Sequence, residues 1–263
     1  MKIAFIGGGA MGEAIIKGLL TKRMAAPQDI VVSDISPVRR DLLNKEYGVN
    51  TLADNRKTVT NADLIILAVK PQNLPQVMEE IKGLAPGKLV LSIVAGATLS
   101  SLCHGLNHSS VIRAMPNMPA QIGEGMTIWA ATAETKQRQK KLAQTILGAL
   151  GEEVYVADEK YLNMATALSA SGPAYVFLFI EALIDAGVHI GLPRDLSREL
   201  AIQTILGSTR TVVKTGKHPA DLRNMVTSPG GTTTEALLQL EKGRFRSLII
   251  EAVAAAHKKA ERL

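Results

Sequence analysis

A single cysteine, Cys103, stands among the 263 residues of this chain. No intramolecular disulfide can form, which suits a reducing compartment. Cys103-His104 is not read as a thiol–base pair, because neighbours on a helix point in different directions. Aromatic residues are scarce too, at 3%. The core must come from Ala, Leu, Ile and Val, which favour helix packing and parallel sheet. The formal net charge is +6, but the Lys and Arg are spread out with no aromatics between them. That pattern argues against a nucleic-acid partner. No uninterrupted apolar run approaches the roughly 20 residues that span a bilayer. The nearest, Tyr175 to Ile184, contains Glu181 and is followed by Asp185. Met1 to Ile6 runs straight into a glycine turn, so no cleavable leader is expected. These features together predict a cytoplasmic protein without a membrane partner. Also missing are a His/Cys cluster at metal spacing, a GxSxG turn and a P-loop lysine, so no metal site is expected.

What is present divides the chain in two. Lys2–Ile6, Ile30–Ser33, Leu64–Val69, Leu89–Val94 and Val111–Met115 read as strands, with helical patterns such as Ala14–Leu20 and Leu74–Leu84 between them. Strands alternating with helices predict βαβ units and a parallel sheet. A strand at Met126–Ala130, a helix over Glu134–Leu147 and a strand at Val154–Val156 follow. Beyond Asp158 only helical spacing remains, over Tyr161–Leu168, Ala174–His189, Leu196–Thr215, Thr233–Lys242 and Arg246–Glu261. The boundary is set at 158/159. Residues 1–158 form an α/β domain and residues 159–263 an all-α domain. Several of these helices are apolar on more than one face, so a tightly packed homodimer is expected to bury them.

Gly7-Gly8-Gly9-Ala10-Met11-Gly12 follows a strand and opens a helix. This G-x-G-x-x-G spacing lets Gly7 turn tightly, Gly9 admit a pyrophosphate and Gly12 pack closely, with the helix N-terminus facing the phosphates. Asp34 ends the second strand at the spacing of a ribose-binding acid. The chemistry predicted is a Rossmann-like dinucleotide site. Asp34 favours a free ribose hydroxyl, whereas Ser36, Arg39 and Arg40 are placed to receive a 2′-phosphate. NADH and NADPH both stay open, with a slight lean to NADPH.

Ser228-Pro229-Gly230-Gly231-Thr232-Thr233-Thr234-Glu235 is the second informative stretch. Thr232 and Glu235 have capping-box spacing. A double glycine before a helix turns N–H groups inward, which suits a small carboxylate. No strong catalytic base is evident, and a reductase acting on an already electrophilic iminium would not need one.

Ala68-Val69-Lys70-Pro71-Gln72, Arg113-Ala114-Met115-Pro116-Asn117-Met118-Pro119, Leu168 to Tyr175 and Ser228 to Glu235 with Gly243-Arg244-Phe245-Arg246 resemble the pyrroline-5-carboxylate reductase family along almost the whole chain. The resemblance implies a Rossmann-like N-terminal domain, a helical domain that dimerises by interlocking, and reduction of L-1-pyrroline-5-carboxylate to L-proline. It implies that Ile6 to Met11, Asp34, Asn55, Ala68, Val69, Lys70, Pro71, Ala95 and Gly96 line the cofactor. Ser228, Gly230, Gly231, Thr232 and Thr233 would hold the substrate, with the Thr233 hydroxyl facing the ring nitrogen, and Glu159 would contribute. Asp34 departs from the small uncharged residue of many NADPH-preferring relatives. Two alternatives accompany this reading: a reductase of another cyclic imine carboxylate, and a cofactor-binding regulatory protein without turnover.

Overall fold

The structure is a computed structural model and describes residues 1–262. It divides into two compact units. The first is Met1–Ser171 together with the C-terminal end from Ala256, and the second is Gly172–Ala255. The 158/159 division assigns residues 159–171 to the helical half, whereas in compactness those residues go with the sheet.

The first unit is built on an eight-stranded sheet: β1 (Ile3–Ile6), β2 (Ile30–Ser33), β3 (Asn50–Leu52), β4 (Leu64–Leu67), β5 (Leu89–Ser92), β6 (Val111–Met115), β7 (Gly125–Ala131) and β8 (Gly151–Tyr155). The spatial order is β3-β2-β1-β4-β5-β6-β7-β8. Every residue of β1, β4 and β5 is buried, as a sheet covered on both faces requires. Alternation sorts their side chains between two clusters. Ile3 and Phe5 join one cluster with their β4 partners Leu64 and Ile66, and with Ile15, Ile16 and Leu19 of α1 (Ala10–Thr21). Ala4, Ile6, Ile65 and Leu67 join the other. It takes in Leu74, Val77 and Ile81 of α4 (Leu74–Ile81) and Leu102 and Leu106 of α5 (Leu99–Leu106).

The expected parallel sheet holds from β3 through β6, and β7 departs from it. β7 pairs antiparallel with β6, and β8 runs parallel to β7. The link over residues 116–124 is too short for the helical crossover that parallel pairing needs. Pro116 and Pro119 with a 3₁₀ turn over Met118–Ile122 reverse the chain instead. The remaining helices of this unit are α2 (Pro37–Tyr47), α3 (Asn55–Thr60), α6 (Gln137–Leu147) and α7 (Lys160–Ala165), the last continuing into a π turn over Thr166–Ala170.

The second unit is helical throughout: α8 (Gly172–His189), α9 (Arg194–Thr215), α10 (Pro219–Met225), α11 (Thr232–Lys242) and most of α12 (Phe245–Ala260). α8 packs on α9 where Gly187 leaves room for the buried Ser197: a Cβ on Gly187 would come within 2.6 Å of the Ser197 hydroxyl. No residue of α8 or α11 is buried. One helix is nevertheless long enough to be compared with a membrane span. Lys160–His189 is long and apolar enough to cross a membrane by length and composition, and 6% of its window is buried. Glu181 and Asp185 interrupt its apolar run.

Candidate cofactor and substrate sites

The predicted cofactor residues gather at the carboxyl ends of the parallel strands. Gly7 to Gly9 follow β1, Asp34 and Ser36 follow β2, Asn55 opens α3 after β3, Ala68 to Pro71 follow β4, and Ala95 and Gly96 follow β5. β1 is flanked by β2 and β4, so the strand order reverses at the β1–β4 junction, where open α/β sheets bind ligands. Gly7 has φ +97°, and a Cβ there would lie 2.6 Å from the Ala68 carbonyl oxygen. A Cβ on Gly12 would lie 2.7 Å from the Gly7 carbonyl oxygen, while one on Gly9 would meet nothing within 4 Å. Two glycines are therefore closed by backbone and the one between them opens outward. Gly9 caps α1 without any side-chain hydrogen bond. That leaves the first-turn N–H groups for an anion, and the cradle fits a dinucleotide pyrophosphate. Ala10 and Met11 begin the helix, and Ile6 and Val69 flank the turn. Lys70 is exposed.

Around this cradle lies a network that the sequence did not reveal. Asp34 accepts from the Gly8 N–H at 2.9 Å through one oxygen and from the Ser36 N–H at 2.9 Å through the other. Ser36 in turn caps α2, accepting from the Arg39 N–H. The Arg39 side chain donates to the Gly8 carbonyl and to Glu13, and Tyr47 donates to Glu13 at 2.7 Å. Arg40 donates to the Asp34 main-chain carbonyl at 2.6 Å. Burial pushes the Glu13 carboxyl up, but the hydrogen bonds from Arg39 and Tyr47 outweigh it and hold the group below its ordinary value. Burial and the bond to Glu13 push Tyr47 up to about 12. Asn55 is also engaged, accepting from Ser33 at 2.6 Å and donating to Glu80 at 2.7 Å.

Glu159 sits in a second network of the first unit. One of its oxygens accepts from the Arg113 guanidinium and from the Leu99 N–H, each at 3.0 Å. Arg113 is buried in β6 and also donates to Asn163 at 2.8 Å. An arginine inside the apolar run Val111–Met115 was the available signal for this brace. Asn117 donates to the Ser169 carbonyl at 3.2 Å and accepts from the Met126 N–H at 2.9 Å. Burial, with Glu134 and Glu159 nearby, pushes the Cys103 thiol up, which disfavours the reactive thiolate. A concavity of about 840 Å³ lined by Asp63, Lys88, Lys136 and Arg138 lies near the starts of β4 and β5, away from the glycine turn.

In the second unit the Ser228–Thr233 turn is exposed or half-buried. Gly230 has φ +68°, and a Cβ on Gly231 would lie 2.5 Å from the Ser228 hydroxyl. The capping-box expectation fails here. Gly231, not Thr232, is the N-cap, so α11 starts at Thr232 and Glu235 falls one place too late to close a box. Thr234 ties the turn by donating to the Ser228 carbonyl at 2.7 Å. With glycine as cap, no cap side chain occupies the N–H groups of the first turn.

Comparison with known proteins agrees along the whole chain. Residues 159–263 match the family model for pyrroline-5-carboxylate reductase dimerisation, and residues 2–96 match that for NADP oxidoreductase, coenzyme F420-dependent. A pyrroline-5-carboxylate reductase of Synechocystis sp. is 43% identical over 100% of this chain and 98% of its own length. The structure of a pyrroline-5-carboxylate reductase from Coxiella burnetii superposes with a TM-score of 0.91 at 38% identity, covering 99% of this chain and 97% of that one. The Plasmodium falciparum pyrroline carboxylate reductase with NADP bound gives 0.91 at 34% identity, covering 100% and 97%.

Proposed function

The chain belongs to the pyrroline-5-carboxylate reductase family, and from that premise we propose that it reduces L-1-pyrroline-5-carboxylate to L-proline with a nicotinamide cofactor. The reaction consumes one hydride and one proton per C=N bond. When bound, the reduced nicotinamide supplies the hydride. Ile6 to Met11 cradle the pyrophosphate. Asp34, Ser36 and Asn55 face the ribose end, and Ala68 to Pro71 with Ala95 and Gly96 line the remaining strand ends. Ser228, Gly230, Gly231 and the N–H groups of Thr232 and Thr233 hold the substrate carboxylate at the positive end of α11. The Thr233 hydroxyl hydrogen-bonds the ring nitrogen. Glu159, held by Arg113 and Leu99, serves by fixing the turn that starts α5.

The observation that carries this reading is the Gly231 cap, which bends the chain without filling the first turn of α11. The apolar sides of α8, α9 and α12 pack against a second copy, and the residues of the Lys160–His189 helix meet protein rather than lipid. The reading puts the protein in the cytosol with no nucleic-acid partner. Cofactor choice is finer: the sequence leans to NADPH, whereas the Asp34 network favours NADH. The test follows cofactor oxidation on adding pyrroline-5-carboxylate, with NADH and NADPH in parallel. Thr233→Ala should lose most turnover; normal turnover would remove Thr233 from the mechanism. Oxidation only with another cyclic imine would change the substrate, and none across a panel would leave a binding protein.

A further inference from the structure

We propose that this chain prefers NADH to NADPH, through Asp34, which repels a 2′-phosphate, and Glu13, which withholds the arginine that would neutralise one. The inference rests on the glycine turn being the dinucleotide site.

Asp34 lies where the adenosine ribose belongs, at the end of the strand beside the glycine turn. Two main-chain N–H groups, those of Gly8 and Ser36, pin its carboxylate. A carboxylate has about four acceptor sites, so it can still receive ribose hydroxyls. A phosphate monoester in the same place brings a charge of about −1.5 to −2 against it. Arg39 and Arg40 are the cations at hand, and the sequence alone offers both to that phosphate. In the structure, Arg39 is drawn back onto the Gly8 carbonyl and Glu13, and Glu13 is further fixed by Tyr47. Arg40 is turned to the Asp34 carbonyl. A 2′-phosphate would gain the full charge of Arg39 only by drawing it off Glu13, whereas a 2′-hydroxyl needs no such change.

The experiment is calorimetric titration of the native protein, Asp34→Asn and Glu13→Gln with NADH and with NADPH, without substrate. The native protein should bind NADH at least about tenfold more tightly. Asp34→Asn keeps one acceptor and removes the charge, and should bring the two constants within about threefold. Glu13→Gln should tighten NADPH alone, by freeing Arg39. Tighter NADPH binding in the native protein, or an unchanged ratio in Asp34→Asn, overturns the proposal. An unchanged NADPH constant in Glu13→Gln overturns the arginine half. Turnover assays run alongside separate the two readings: cofactor preference without pyrroline-5-carboxylate reduction ends the reductase reading and leaves this inference standing. Binding of neither cofactor ends both.

Discussion

Strand β4 and helix α8 are both rich in large aliphatic residues, yet their surroundings are opposite. Leu64, Ile65, Ile66 and Leu67 are wholly buried, whereas Val176, Phe177, Leu178 and Phe179 are between 40% and 67% exposed. The first unit covers its sheet with its own helices. The second leaves apolar side chains on α8, α9 and α12 in the open, more than a monomeric surface usually tolerates. A family model for dimerisation matches this part of the chain. One unit completes its core alone, and the other is shaped for completion by a second copy.

The largest expected effect strikes the second unit. Leu178→Asp should weaken dimerisation by at least about 100-fold, the effect of truncating a strong interface residue. Sedimentation at decreasing concentration reads it, and an unchanged dimer would break the comparison. Next comes the first unit: Ile66→Ala should lose about 2–5 kcal/mol of stability in denaturant while the folded protein keeps its oligomeric state. A change of assembly there would show that the units are not independent in this respect.

Two smaller effects sharpen the picture of the first unit. Glu13 lies below its ordinary value of 4.5, so its bonds stabilise above that pH and are lost as pH falls through the depressed value. Glu13→Gln should flatten the acid side of the stability profile by less than about 1 kcal/mol. Tyr47 is raised to about 12, so its contribution holds below its ordinary value of 10.0 and fades as pH rises through the raised one. Ultraviolet titration should show Tyr47 ionising late in the native protein and returning toward its ordinary range in Glu13→Gln.

Much of the fold was legible because burial on both faces writes itself as continuous apolar runs. β3 escaped notice: Asn50-Thr51-Leu52 is short, at the sheet edge and half-exposed. The reversal at β7 escaped because pattern reports strands and not their direction. The glycine turn was legible at the level of single residues: Gly7 and Gly12 are each closed by nearby backbone, while the space beside Gly9 is open. The Arg39–Glu13, Arg113–Glu159 and Asn117–Ser169 bonds were not, because they join residues 26, 46 and 52 positions apart. Local spacing carries no information about such pairs.

The reversed direction of β7 and β8 gives the segment that follows them a task of measurement. β8 runs back toward the starts of the parallel strands and ends with Tyr155 beside Trp129, which itself lies opposite Ala114. The chain then turns, and α7 with its π turn climbs beside β6 from Arg113, which holds Glu159, to Asn117, which holds Ser169. From Arg113 to Asn117 the extended chain covers roughly 13 Å. From Glu159 to Ser169 a helical path covers roughly 15 Å. The segment is thus a ruler cut to the height of the strand beside it. One residue added to it would rotate the rest of the segment by about 100°, carrying Ser169 off Asn117, so insertions here should be far less tolerated than in the surface loops.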